Sequence, residues 1–587
     1  MTKPPDYKNP IPILEIGSII EVDGTKIIAE LSTAIVDLNR IYKGDVYPIG
    51  QFGSVIKIHF GMRIIYAHVA RLRMKSEYNL EKGIVPDKDA NSRIIEANLF
   101  GEGEWIEQKL EFERGVTTFP LPQQSVYITP RPELKCILGG DKESLIDIGE
   151  HVGSGGARCY ADMNELIGKH AAILGATGSG KSGTVATILH AILDRGNDIH
   201  NNQSGDNDKI WKPKIIILDP HNEYETAFKE EEKIRLCTDE DTLKLPYWLF
   251  NFEETLDLFV EVTQYSAHVR ANILKAALLK AREDSLKAHN VTGIKDITVD
   301  SPIPYNLDTL EYHIKNSTNM PDAPSKRDPW QAILDRIKVL RDDSRYGFIM
   351  DNYQEGEDDF PSIIKQFLRD DKPVCIIDLS GVPSEIAGVT GSAIARTVFA
   401  FKIWQTVEER KKSPILMVCE EAHRYVPNTV EAQYKASQDS IRRIAKEGRK
   451  YGIGLFLVSQ RPAEVEPTVL SQCNSWIVLR ITNNADREQV QGALPDSLAG
   501  LTKILSGLRR REAIFVGQAA SLPSRILITD LDKARKSLPR SHDIDFQKGW
   551  QHAILDGKHL NKIINKWRAQ TKKKLIVVRT FGNPDNP

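Results

Sequence analysis

The sequence predicts an α/β protein: buried parallel strands with helices between them, a small β-barrel ahead of them, and a helical segment inserted among them. Three observations carry this prediction. Short apolar runs that end in polar residues alternate with helical periodicity from Ala171 to Val516. The chain ahead of them instead holds closely spaced alternating segments separated by glycine turns. Finally, the first apolar run, Ala171-Ala172-Ile173-Leu174, leads directly into a glycine-rich loop.

The totals bound the answer. A chain of 587 residues is long enough for roughly three or four domains. Its 41% apolar and 27% charged content is that of a globular protein with a sizeable core. A net charge of −2 is no argument for a protein that coats nucleic acid, and it leaves room for a local basic channel. Six scattered cysteines (136, 159, 237, 375, 419, 473) form no C-x-x-C pair, so neither a disulfide framework nor a zinc site is expected, which suits the cytoplasm. Met1 to Pro12 lacks the apolar core of a signal peptide, and no apolar run approaches ~18 residues, so no membrane span is expected.

In chain order, residues 1–135 read as the barrel. Ile13–Gly17, Ser18–Val22, Ser54–Phe60, Arg63–Val69, Arg93–Leu99 and Ser125–Ile128 are its strands. His59 and His68 stand alone there, and a structural or solvated role is expected for both. Residues 136–253 open the α/β core, with a linker up to Lys169 and His170.

The loop Gly175-Ala176-Thr177-Gly178-Ser179-Gly180-Lys181-Ser182, followed by Gly183, fits G-x-x-x-x-G-K-[ST]. Glycines let successive amides turn inward on a polyphosphate, and the helix that follows adds the positive end of its dipole. Val185, Ile188, Leu189 and Ile192 give that helix its spacing. Lys181 is expected to reach the β- and γ-phosphates of ATP, and Ser182 to hold Mg²⁺.

The second core strand, Pro213–Leu218, ends in Asp219-Pro220-His221-Asn222-Glu223-Tyr224. Ligands in such sheets lie beyond the carboxyl ends of strands. Asp219, His221 and Glu223 are therefore candidate nucleotide-site residues, the alternative being a polar turn. Residues 254–370 read as inserted helix, and 371–535 as the rest of the core. There Pro414–Cys419 ends in Glu420 and Glu421. Beside a phosphate loop, one such carboxylate supports Mg²⁺ and the next polarises the attacking water; Glu420 takes the first role and Glu421 the second. An amphipathic helix from Ile441 to Lys450 carries Arg442, Lys446, Arg449 and Lys450 on one side, facing solvent, DNA phosphates or a neighbouring subunit's γ-phosphate. Gly454–Ser459 is the next strand, and Gln460 at its end is placed to sense the γ-phosphate or help place the water. Residues 536–587 form a basic tail, with eleven Lys or Arg against four Asp or Glu.

These segments resemble the HerA family of the HerA/FtsK DNA-pumping ATPases. The residues that carry the resemblance are His170–Ser182, Asp219–Tyr224, Glu420–His423, and Ile444–Gly452 leading into Ser459–Pro462. The resemblance implies a RecA-like ATPase core behind an N-terminal HAS-type barrel that docks a partner. It implies a homohexameric ring around double-stranded DNA, with ATP and Mg²⁺ between subunits. By motif position it makes Arg449 the residue acting on the neighbour's nucleotide, with Arg442 as the second choice. The family often has arginine at the position of Lys169, where lysine keeps the charge and loses the bidentate fork. It usually has glycine at Asn222, and asparagine tolerates the left-handed backbone such a turn needs. Family partners are a NurA-type nuclease in DNA-end resection, or a nuclease or sirtuin-like NAD-cleaving protein in antiphage defence. The expected function is thus an ATP-driven translocase or helicase, with Ser380–Ser392 and Arg424–Ser440 as candidate DNA loops. The alternative is a nucleotide-controlled ring scaffold that regulates an effector.

Overall fold

The computed structural model describes residues 9–85, 92–106, 109–139, 143–154, 156–202, 211–260, 267–288, 296–316, 329–351, 353, 358–428, 435–493, 504–540, 543–551 and 557–568. The chain divides into two compact units, Met1–Pro213 with Glu421–Thr429 and Ala445–Leu538, and Lys214–Glu420 with Val430–Ile444 and Pro539–Pro587.

The first unit begins with nine strands: β1 (Glu15–Asp23), β2 (Lys26–Leu31), β3 (Asn39–Tyr42), β4 (Asp45–Pro48), β5 (Val55–Phe60), β6 (Arg63–Met74), β7 (Arg93–Ile106), β8 (Lys109–Arg114) and β9 (Ser125–Ile128). Six of them close a barrel in the order β1-β9-β5-β6-β7-β2, every pair antiparallel, and β8 extends β7 outward. Ile13–Gly17 and Ser18–Val22, expected as two strands, are one strand with a bulge between Ile19 and Glu21. Alternation puts Ile16, Ile56, Ile58, Ile65, Ala67 and Ile95 inside. At Gly17 a Cβ would stand 2.0 Å from the Glu30 carbonyl oxygen, so β1 and β2 close only with glycine there.

The outer face of β5 and β6 is covered as well. Val55, Ile64 and Tyr66 pack against Leu134, Ile137 and Leu138 of the segment around the helix Arg131–Ile137. This cover encloses an ion pair: Lys57 Nζ lies 2.6 Å from Glu133 Oε1, with both side chains fully buried, and the Tyr66 hydroxyl donates to Glu133 Oε2 at 3.2 Å.

The same unit holds β10 (Leu145–His151), β11 (Arg158–Asp162), β12 (Ala171–Leu174), and later β17 (Ile453–Ser459), β18 (Ser475–Val478), β19 (Glu512–Gly517) and β20 (Ser524–Ile528). Their order is β11-β10-β20-β19-β18-β12-β17. β12 is parallel to β17 and β18 on its two sides, and all four of its residues are fully buried, as a short apolar run predicts. The segment expected only to link barrel and core instead supplies β10 and β11, with β10 antiparallel to β20. Its alternation is short and interrupted by Gly149, where a Cβ would meet the Leu527 carbonyl at 2.2 Å.

Four histidines of this unit, three buried and His59 half-buried, are held neutral. Burial pushes His59, His68, His151 and His170 down to about 4. In the unfolded chain they titrate near ~6.5. Between these values the unfolded chain binds more protons, so their contribution to stability is intact above ~6.5 and is lost as pH falls toward ~4. The urea midpoint is expected to be lower at about pH 5 than at about pH 7.5; equal midpoints would contradict this reading.

The second unit holds β13 (Lys214–Asp219), β14 (Lys233–Cys237), β15 (Val374–Asp378) and β16 (Ile415–Glu420), parallel in the order β16-β13-β15-β14. Between β14 and β15 come the expected helices, among them Phe252–Phe259, Ala267–Ala288, Leu307–Asn316, Pro329–Asp342 and Phe360–Phe367. Arg282 is fully buried among them and donates to the carbonyls of Trp248, Phe250 and Val299.

Several expectations are corrected here. A helix begins at Ser384 and runs to Trp404, and Ile386, Val389, Thr390 and Ser392 on it are buried. Most of Ser380–Ser392 is therefore helix and not a DNA loop. Its stretch Ile386–Trp404 is also long and apolar enough to cross a membrane, contrary to the expectation of no such run, and 72% of it is buried within the fold. The other candidate loop, Arg424–Ser440, includes residues 429–434, which lie outside the described residues; from Lys435 it is helix, Lys435–Glu447, followed by a tight turn Gly448–Tyr451 where helix was expected to Lys450. The described tail holds helices Phe546–Gln551 and Gly557–Arg568, and 569–587 lie outside. All six cysteines are unpaired.

Candidate nucleotide-binding site

In the first unit, β12 runs into the glycine-rich loop, and the helix Lys181–Asn202 leaves it. Gly178 (φ +74°) and Gly180 (φ +99°) take the left-handed conformations that only glycine adopts without strain. The loop is anchored on both sides. The Gly175 amide donates to the Ser459 carbonyl at 3.2 Å, the Ala176 amide to the Arg480 carbonyl at 2.9 Å, and the Ser179 carbonyl accepts from the Arg511 amide at 2.9 Å. Ser179 is fully buried, and its hydroxyl has no hydrogen-bond partner. The result is a rigid, glycine-shaped turn at the N-terminus of a long helix, the form that receives a polyphosphate.

Lys181 and Glu421 meet over this loop. Lys181 Nζ lies 3.3 Å from Glu421 Oε1, and the two residues are 8% and 3% exposed. Glu421 has a left-handed backbone (φ +54°, ψ +55°). For a residue with a Cβ this costs roughly 1–2 kcal/mol, and such strain concentrates at functional sites. Its second oxygen, Oε2, is buried and makes no hydrogen bond, although His423 Nδ1 is 3.3 Å away. His423 Nδ1 is also 3.4 Å from Ser459 Oγ, and burial holds the imidazole below its ordinary range. Gln460 reaches the loop directly, its Oε1 accepting from Thr177 Oγ1 at 2.6 Å.

In the second unit, Asp219 closes β13. Both its oxygens accept amides of its own turn, from His221 at 3.2 Å and Tyr224 at 2.9 Å. Burial nonetheless lifts it to about 7. Asn222 has φ +54°, the left-handed backbone expected of a residue in glycine's place. The Glu223 carbonyl accepts from the Arg540 amide at 2.7 Å. Tyr224, fully buried, donates its hydroxyl to Glu420 Oε2 at 2.8 Å. Glu420 is followed in the chain by Glu421. Among the described residues no group of three or more His, Cys, Asp or Glu could hold a metal.

The basic residues differ in what they do within one chain. Lys169 is engaged by Gln518 Oε1 at 2.5 Å and Glu165 Oε2 at 2.6 Å. Arg442 bonds to Asp439 and Gln438 of its own helix. Arg449 is exposed on the turn after that helix.

The sequence reading left out His423, Tyr224, His170 and Arg511. His423 and Tyr224 lie inside its own motifs, and their hydrogen-bonding side chains at the ends of buried strands were the available signal. His170 Nδ1 accepts the Leu455 amide at 3.0 Å, tying β12 to β17. Arg511 carried no local signal.

The family described as Helicase HerA, central domain, matches residues 146–398. A probable helicase of Methanocaldococcus jannaschii is 27% identical over 415 residues, covering 70% of this chain and 72% of that protein. The DNA double-strand break repair helicase HerA of Pyrococcus furiosus is 28% identical over 443 residues, covering 70% of this chain and 73% of that protein. Among solved structures, VirB4 of Thermoanaerobacter pseudethanolicus aligns with a TM-score of 0.46 at 16% identity, covering 68% of this chain and 100% of that one.

Proposed function

Because residues 146–398 belong to the HerA helicase central-domain family, we propose that this ATP-hydrolysing P-loop enzyme is a motor that moves along double-stranded DNA. It works as a homohexamer, and a separate effector, a nuclease or an NAD-cleaving protein, docks on the barrel. Its setting is DNA-end processing or antiphage defence. The observation that supports the reading best is the pairing of Lys181 with Glu421 over the glycine loop, with one Glu421 oxygen buried and without a hydrogen bond.

The residues divide the work as follows. Mg²⁺–ATP, when bound, supplies the electrophilic γ-phosphorus and the metal's charge. The amides of residues 178–183 and the Lys181 ammonium bind the phosphates. Ser182 would hold the metal that accompanies the nucleotide, and within the second unit the Tyr224 hydroxyl orients Glu420. Glu421 Oε2 accepts a proton from the attacking water, and the left-handed backbone fixes that oxygen's direction. Gln460 and Thr177 position the loop's outer rim. Arg449, exposed on its own subunit, reaches the neighbour's γ-phosphate and stabilises the charge that develops there.

The test is ATP hydrolysis by the purified protein with and without linear duplex DNA, together with a strand-displacement or translocation assay. Stimulation by duplex with movement along it is the expected result. Hydrolysis indifferent to duplex, with no movement, would reject the motor in favour of a nucleotide-controlled scaffold.

A further inference from the structure

The hairpin β19–β20 reaches the phosphate loop at its base. Three arginines, Arg509, Arg510 and Arg511, precede and enter it. Arg509 and Arg510 are exposed, whereas Arg511 turns inward. Arg511 has φ +65°, a conformation that glycine adopts freely and a residue with a Cβ does not. This turn aims its amide at the Ser179 carbonyl, 2.9 Å away. It also lays the residue over Gly180, where an added Cβ would stand 3.2 Å from Arg511 Cγ and 3.5 Å from its Cα.

The guanidinium reaches across the open end of the hairpin to the residues opposite Arg511. Nη1 donates to the Ile528 carbonyl at 3.2 Å, and Nη2 pairs with Asp530 Oδ2 at 3.1 Å. Between these two residues the Thr529 carbonyl accepts from Thr187 Oγ1 at 3.3 Å, on the helix that leaves the loop. At the tip, Leu522 is buried in the cluster of Val55, Tyr66 and Leu134 on the outside of the barrel. The hairpin is thus seated at both ends, and the strained backbone of Arg511 is held by its own side chain.

We infer that Arg511 is a positioning residue of the nucleotide site: tethered to Asp530, it holds Ser179 and Gly180 in the shape that receives the triphosphate. It acts through the loop and touches no reacting atom. The inference rests on the reading of this loop as the ATP site. An element that shapes the loop equally for ground and transition states changes binding and leaves the chemical step alone.

The experiment uses the full chain and two variants, Asp530→Asn and Arg511→Gly. The first loosens the tether. The second keeps the left-handed turn and the amide while removing the side chain. Both are expected to raise the KM for ATP by about five-fold or more with kcat within about two-fold, and to weaken ADP binding in parallel. Arg511→Lys, which restores a cation beside Asp530, is expected to recover part of the loss. Unchanged KM in both variants, or a fall in kcat at unchanged KM, would overturn the inference. Lys181→Ala serves as the control: if it too leaves nucleotide binding unaltered, the failure lies with the nucleotide site itself and not with Arg511.

Discussion

Glu421→Gln is expected to lower ATP turnover by roughly 10²- to 10⁴-fold, the usual contribution of a positioned general base, while nucleotide binding survives. The amide is nearly isosteric, so it can remain beside Lys181, 3.3 Å away in the native protein. What it loses is basicity at Oε2, the buried oxygen that makes no hydrogen bond within the chain. Lys181→Ala separates the two functions, since it removes the cation that binds phosphate and is expected to abolish binding and turnover together. The check is steady-state hydrolysis alongside equilibrium binding of a labelled nucleotide. Turnover within ten-fold of the native rate in Glu421→Gln would remove Glu421 from the role of base. Lost binding in the same variant would mean that the carboxylate holds the loop and does no chemistry.

The second large effect is one of stability and lies in the barrel. Lys57 and Glu133 are fully buried and 2.6 Å apart. Burial draws the Lys57 ammonium below its ordinary range and lifts the Glu133 carboxyl above its own, and each partner pulls the other part of the way back. Removing one charge leaves the other buried and alone, a loss of about 3–5 kcal/mol. Lys57→Ala is therefore expected to lower the midpoint of barrel unfolding in urea sharply. The double replacement Lys57→Met with Glu133→Leu removes both desolvation costs and is expected to restore most of the stability. A double variant as unstable as the single one would show that the pair, rather than the filled space, holds the helix Arg131–Ile137 on the barrel.

How much of the site is legible in the sequence follows from the range of the interactions that build it. The phosphate loop is local: its glycines, its lysine and the helix behind it lie within one short stretch, and each adopts the backbone its residue type favours. Glu420 and Glu421 stand out in the sequence because two carboxylates end an apolar strand downstream of a phosphate loop, and both are buried in the fold. Gln460 stands out as the polar residue after the next buried strand, and its bond to Thr177 joins two motifs 283 residues apart. The first ten residues of the helix Ser384–Trp404 are not legible as helix because Ser384 to Ala393 mixes glycine, threonine and serine with apolar residues, and only burial in the fold favours helix there.

The sequence by itself determined the class of core, the glycine-rich loop between strand and helix, the buried strand that ends in two carboxylates and the six-stranded barrel's main strands. Each of these is written in residue spacing, because backbone geometry imposes the same period wherever the strand or helix occurs. Only the tertiary structure decided that residues 145–162 join the sheet, that Tyr224 holds Glu420, and that Arg511 braces the phosphate loop through Asp530. Those contacts join residues hundreds of positions apart or depend on which strand lies beside which. Strand neighbours are chosen by burial and register across the whole unit, and no local pattern of side chains specifies them.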